Sequence, residues 1–337
     1  MQHFGCRSVN SCLTVLTSNI YPVCNMTRTN RLHSALALLF LSLCTTPVAL
    51  AWGNEGHRII NRAAATKLPQ DVPAFLRSPD AANEIEYLGP EPDRWRSPLE
   101  PELNASQAPD HFIDLELADR IGPLPRSRYD YIRMLYAAAV QQPQDAAKLA
   151  PEKVGFQPYI AIEVMERLQA ALRQWRALSA AGATQADDAK ASQQAVIFYA
   201  GWLGHYVADG SMPLHTSIHY NGWVGKENPN AYTTEHHIHA QFESVFVAAT
   251  LKGAAVQPLV PNAANVLADP FADYVSYLRK SNGLVERVYQ LEKAGGFENA
   301  GSAESRQFTA ERLAAGATML RDMIYTAWIN SAKPLAP

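Results

Sequence analysis

The stretch GHYVADGSMPLH, Gly204 to His215, constrains this chain more than any other segment. It overlaps the end of a run, Gln193 to Asp209, that contains FYAGWLGHYVAD and is too apolar to lie on a surface. The run therefore reads as a buried central helix. His205 and Asp209 are four residues apart and share one face of that helix. An ionised aspartate buried among Phe, Tyr, Trp and Leu needs a strong partner, and a metal cation is the most economical one. Gly210 and Pro213 then end the helix and let His215 turn in another direction.

The rest of the chain shows helical periodicity and few strand signals. Ile160, Val164, Leu168, Leu172 and Trp175 mark one face of a helix over Ile160–Leu178. Phe242–Leu251, Phe271–Leu291 and Phe308–Ile329 give three further helices. Pro and Gly gather in Leu88–Leu124 and Gly210–Pro229, which read as two long loops. Loops of that length in a compact domain are usually functional. Residues 179–189 read as a solvated connection between helices. With 47% hydrophobic residues there is ample material for a core, and the expectation is a single all-α, mostly helical domain.

Residues 1–51 have a different character. Arg28 and Arg31 precede an apolar run, Ala35–Cys44, and Ala49-x-Ala51 stands directly before Trp52. This is the order of an export signal, and the run is too short to span a bilayer. Met26 begins a leader of more usual length than Met1 does. The expected mature chain is 52–337, secreted or periplasmic. All four cysteines, Cys6, Cys12, Cys24 and Cys44, leave with the leader. A mature metal site must then use histidine, carboxylate or backbone ligands. Removing Arg7, Arg28 and Arg31 takes 29 basic residues to 26 against 32 acidic ones, a net charge of −6. That argues against a broad basic surface for duplex nucleic acid and leaves a local anion site open.

Eight histidines remain in the mature chain: His57, His111, His205, His215, His219, His236, His237 and His239. His239 and Glu243 form a second His-x-x-x-acid pair, although a solvated helix face often carries such a pair by itself. His236 and His237 are alternatives to His239 if the helix starts elsewhere. His57 lies five residues after Trp52, whose amine and carbonyl, freed by cleavage, can chelate a cation. Asp93 lies in the first Pro-rich loop, in DRWR, and His111 follows in DHFIDLE.

Taken in order, Trp52, His57, Asp93, His111, His205, Asp209, His215, His239 and Glu243 resemble the ligand set of the superfamily that contains single-strand-specific zinc nucleases and zinc-dependent phospholipases C. The resemblance covers nearly the whole mature chain and rests on W-G-x-x-G-H and H-x-x-x-D-x-x-x-P-L-H. It implies three zinc ions in one mostly helical domain. Asp93, His111, His205 and Asp209 would hold the first; His215, His239 and Glu243 the second; Trp52, His57 and a bridging Asp209 the third.

Within the superfamily, the five-residue spacing of Trp52 and His57 looks like the nuclease branch. There the resemblance implies that Phe112 stacks on a base, that Asp114 bonds the base edge, and that Arg96, with Asp93, works at the scissile phosphate. Glu243 looks more like the phospholipases, and the absence of cysteines departs from the fungal nucleases. The implied activity is zinc-dependent phosphodiester hydrolysis of single-stranded DNA or RNA giving 5′-phosphorylated products, with 3′-nucleotidase activity by analogy. A phospholipase C acting on phospholipid and a noncatalytic exported zinc-binding protein are the competing readings. Nothing implies a stable protein partner, and a monomer is expected.

Overall fold

The computed structural model describes residues 52–334; the expected leader and the last three residues lie outside them. Among the described residues there is no strand, only an isolated bridge between Tyr220 and Gly222. The all-α expectation holds. The longer helices are α1 (Gly53–Ala65), α2 (Pro79–Leu88), α3 (Arg128–Gln141), α4 (Gln157–Ala180), α5 (Ala186–Ser211), α6 (Pro270–Asn282), α7 (Val285–Lys293) and α8 (Ala303–Asn330). No helix among the described residues is long and apolar enough to cross a membrane.

Helix starts follow local chemistry. Ser78, Ser127, Asp269 and Ser302 each accept a bond from the backbone N–H three residues on, capping α2, α3, α6 and α8. Pro79 and Pro270 sit in first turns, where a missing N–H costs nothing. The apolar run indeed forms the central element: α5 packs on α1, α2, α4, α6 and α8. Its approach to α1 and α2 requires glycine. A Cβ on Gly204 would lie 2.0 Å from Oδ1 of Asn61, and one on Gly201 would lie 2.5 Å from Cβ of Leu88. The fully buried Asn61 donates Nδ2 to the carbonyls of Ile85 and Gly201, stapling α1 to both neighbours.

Several boundaries differ from the periodicity. Leu88–Leu124 is not one loop: it holds helical turns at Glu91–Arg94, Pro101–Gln107, Ala108–His111 and Leu115–Ala118. Pro92, Pro101 and Pro109 start three of these turns rather than punctuating a loop. Phe271–Leu291 divides into α6 and α7 at Gly283, a weak helix former, next to Asn282, whose amide is held by the Thr216 carbonyl at 2.8 Å. The connection expected over 179–189 is shorter, because α4 reaches Ala180 and α5 starts at Ala186. Gly210 stays helical under Tyr274 and Tyr277, and α5 ends at Ser211, before Pro213.

Candidate metal centre

The nine expected ligands come from separate pieces of chain and meet in the interior. Trp52 and His57 belong to the start of α1, Asp93 to the turn Glu91–Arg94, and His111 to the end of Ala108–His111. α5 supplies His205 and Asp209, and Pro213–Thr216 supplies His215. His239 lies in Ile238–Ala240, and Glu243 in a π-helical segment, Gln241–Phe246. Such widened turns occur often at functional sites. All nine residues are buried. Their ligand atoms form three groups that could hold metal ions: His57, His205 and Asp209; Asp93, His111 and His205; and His215, His239 and Glu243.

The backbone fixes how the rings face. His205 donates Nδ1–H to the Gly89 carbonyl at 2.9 Å, His215 to the His111 carbonyl at 2.8 Å, and His239 to the Tyr220 carbonyl at 2.9 Å. In the neutral ring each Nε2 is then a bare lone pair. These lone pairs face other acceptors. Nε2 of His215 and Nε2 of His239 are 3.2 Å apart, and they lie 3.5 and 3.1 Å from Oε2 of Glu243. Nε2 of His205 is 3.3 Å from Oδ2 of Asp209, as is Nδ1 of His111. Nε2 of His57 is 3.5 Å from Oδ1 of Asp209, and Asp93 stands 3.8–3.9 Å from His57, His111 and His205.

Most of these separations are too long for hydrogen bonds. Those of 3.1–3.5 Å match the edge of a tetrahedron with ligand bonds of about 2.0–2.1 Å, which is about 3.3 Å, and the Asp93 contacts are wider. Both carboxylate oxygens of Asp93 and Asp209 and Oε1 of Glu243 have no hydrogen-bond partner. Unsatisfied buried acceptors in that number are costly unless a cation meets them. The donor set of imidazole and carboxylate, with no thiolate, fits such a cation.

The electrostatics carry the same signature. Burial pushes Asp93 up to about 8, with Arg96 opposing, and pushes Asp209 well above the carboxylate range, with Asp93 and Glu243 adding to it. Burial lowers His111, His205 and His215. Burial alone would also raise Glu243, but His239 and His215 outweigh it and hold Glu243 low. Without a cation, the first two groups are thus carboxylates that resist ionisation beside imidazoles that resist protonation.

Trp52 is fully buried, and its indole donates to the Ala208 carbonyl and to Oγ of Ser211. Its backbone N lies 2.9 Å from Oε2 of Glu243, and its carbonyl accepts from the Gly56 N–H in the first turn of α1. The nitrogen therefore faces the carboxylate of the His215 group, whereas the resemblance implies a ligand beside His57.

A cavity of about 850 Å³ opens onto this centre, with His111, His215 and His239 in its wall. Arg96, Phe112 and Asp114 line the same cavity. Arg96 lies 3.9 Å from Asp93, and its Nε has no hydrogen-bond partner. Phe112 is extended, and its carbonyl accepts from Gln157 N. Gly155, at φ +92°, must be glycine here because a Cβ would lie 2.1 Å from that carbonyl. Burial, helped by Glu116, raises Asp114 to about 7. His219 stacks on Trp223 at 4.0 Å instead of joining a group, and His236 and His237 are exposed. Sequence reasoning missed three further cations in the cavity wall, Arg120, Lys148 and Lys153. Isolated surface cations in separate turns carry no pattern that would single them out.

Comparison of the chain with protein-family models, with curated proteins and with solved structures gives no match. The centre is accordingly characterised by its own geometry: an all-α protein with three buried histidine and carboxylate groups that could each hold a metal ion, two of which reach the wall of one cavity through His111, His215 and His239.

Proposed function

We propose that this chain is an exported, zinc-dependent phosphodiesterase, a nuclease that prefers single strands and leaves 5′-phosphorylated products. The observation that carries this reading is a cavity whose wall takes His111, His215 and His239 from two of the three ligand groups and also presents Arg96, Phe112 and Asp114. Zinc suits the donor types, and when bound it supplies Lewis acidity and a water that ionises near neutral pH. Asp93, His111, His205 and Asp209 would hold one ion, His215, His239 and Glu243 another, and His57 and Asp209 a third, while the freed terminus of Trp52, which the resemblance implies for the third, has its nitrogen against Glu243.

The chain's own residues then have distinct tasks. Arg96, with Nε unpaired, offers a planar donor to a phosphoryl oxygen and offsets charge growing there. Phe112, half-buried in the cavity wall, gives a ring on which an unpaired base can stack, and a base within a duplex is not free to do so. Asp114, raised to about 7, presents both donor and acceptor capacity near neutral pH to a base edge. The Nδ1–H bonds to Gly89, His111 and Tyr220 hold the ring planes, so the centre needs little rearrangement. No side-chain nucleophile is required.

A phospholipase C reading draws on the apolar part of the wall, Leu117, Leu214, Ile218 and Val224. Purified protein assayed on single-stranded DNA and on phosphatidylcholine micelles separates the two. The expected result is cleavage of DNA, with metal analysis finding a zinc ion for each of the three ligand groups. Activity on lipid alone would overturn the nuclease reading, and protein purified without bound metal would overturn the metal centre.

A further inference from the structure

The wall of the main cavity has two cationic stations. One is Arg96, beside Asp93. The other comprises Arg120, Lys148 and Lys153, whose described ion pairs involve none of the metal-group residues. Arg120 and Lys148 share a single carboxylate, Asp145, at 2.9 and 3.0 Å, so that cluster keeps a surplus positive charge. Lys153 has no ion-pair partner among the described residues. The peptide that follows it is pinned to the base-facing segment, since Asp114 N donates to the Val154 carbonyl at 2.8 Å. Of the acids in the cavity wall, Glu116 is engaged by Ser217, the Ile218 N–H and Asn282, and Glu152 is exposed.

Size points the same way. At about 850 Å³ the cavity is near the upper end of pockets for one small molecule, roughly 300–1,000 Å³. A dinucleoside phosphate has one phosphate to place, and so does the headgroup of a phospholipid held at Arg96. Neither uses a second cationic station. A longer strand does, because a neighbouring phosphate follows one nucleotide away.

Resting on the nuclease reading above, we propose that Arg120, Lys148 and Lys153 form a second phosphate subsite, and that the preferred substrate is therefore an oligonucleotide with at least one phosphate beyond the scissile one. Phe112 and Asp114 line the same cavity as both stations, so a stacked base and two anchored phosphates can belong to one strand. Anchoring both phosphates fixes the register of the strand without reading its sequence.

The test compares the zinc-loaded protein beginning at Trp52 with its Lys148→Ala, Lys153→Ala double variant, both positions being outside the metal groups. Substrates are bis(p-nitrophenyl) phosphate, a dinucleoside monophosphate, and the same dinucleotide extended by a terminal phosphate or by further nucleotides. The variant should raise KM roughly threefold per lysine on the extended substrates and leave both one-phosphate substrates unchanged. The slope of log affinity against log salt for an oligothymidylate should shrink by about 0.7 for each phosphate that is no longer neutralised. That slope is measured by fluorescence anisotropy on the zinc-loaded protein with a cleavage-resistant phosphorothioate oligothymidylate, so it does not depend on turnover. Unchanged KM and unchanged salt slope on the extended strands would overturn the subsite. A wild-type protein that cleaves no phosphodiester but still shows the salt-slope difference would instead overturn the nuclease reading and keep the subsite.

Discussion

Metal removal should make the protein lose stability between pH 7 and 8, where the loaded protein does not, and the structure gives the magnitude. In the metal-free protein Asp93 is raised to about 8, and Asp209 is raised well above the ordinary carboxylate value of 3.8. A raised folded-state value means that the native state holds the proton while the unfolded chain has lost it. The associated stability is full below 3.8 and is lost as pH rises through the folded value. The buried histidines act oppositely. His111, His205 and His215 are lowered, so they destabilise the native state only below their ordinary value of 6.5. Between pH 7 and 8 the carboxylates therefore dominate, and raised His239 has the same sign as they do.

Each proton difference is worth about 1.4 kcal/mol per pH unit. A partly titrating Asp93 thus removes on the order of 1 kcal/mol between pH 7 and 8, and Asp209, raised in the same direction, adds to it. With an unfolding entropy of roughly 2.1 cal/mol/K per residue over about 280 residues, Asp93 alone lowers Tm by about 2 °C. In the loaded protein both carboxylates are already ionised as ligands, so this loss disappears. Free metal at about a thousand times its Kd adds roughly 4 kcal/mol for each site, or about 7 °C. Scanning calorimetry at pH 7.0, 7.5 and 8.0, with zinc and with chelator, reads both effects. A metal-free Tm that rises across this window, or a chelator that changes nothing at pH 8, would refute the reasoning.

Other perturbations test separate parts of the centre. Arg96→Ala should reduce kcat on a phosphodiester by roughly 10²-fold while zinc content by metal analysis stays at the wild-type level. Phe112→Ala should cost about 1–3 kcal/mol of stacking, seen as a rise in KM on single strands that is absent on a small chromogenic diester. Gly204→Ala should destabilise by about 1–3 kcal/mol because its Cβ collides with buried Asn61; an unchanged urea midpoint would contradict that packing. Protein produced with residues retained before Trp52 should bind less zinc and lose most activity, because a peptide nitrogen is a poor ligand where a free amine is required. Full zinc occupancy in that form would remove Trp52 from the ligand set.

What was legible in the sequence was the chemistry that has no other outlet. His205 and Asp209 stand in a run so apolar that their burial followed from composition, and their need for a cation followed from burial. His239 and Glu243 were harder, since the same spacing decorates solvated helices, and a π-helical turn between them is invisible to a 3.6-residue period. Yet their Nε2 to Oε2 separation of 3.1 Å shows that the pair survives the widened turn. The prolines of 88–124 misled because proline both breaks helices and begins them, and only the fold decides which. The rings' orientation was beyond reach altogether. It depends on the carbonyls of Gly89, His111 and Tyr220, groups that every residue carries and no sequence pattern marks. The same holds for Trp52: its type and position suggested a ligand, but only packing reveals that its nitrogen faces Glu243 at 2.9 Å. An amine created there by cleavage would join the charge balance of the His215 group directly, so export processing and assembly of the centre would be coupled at that carboxylate.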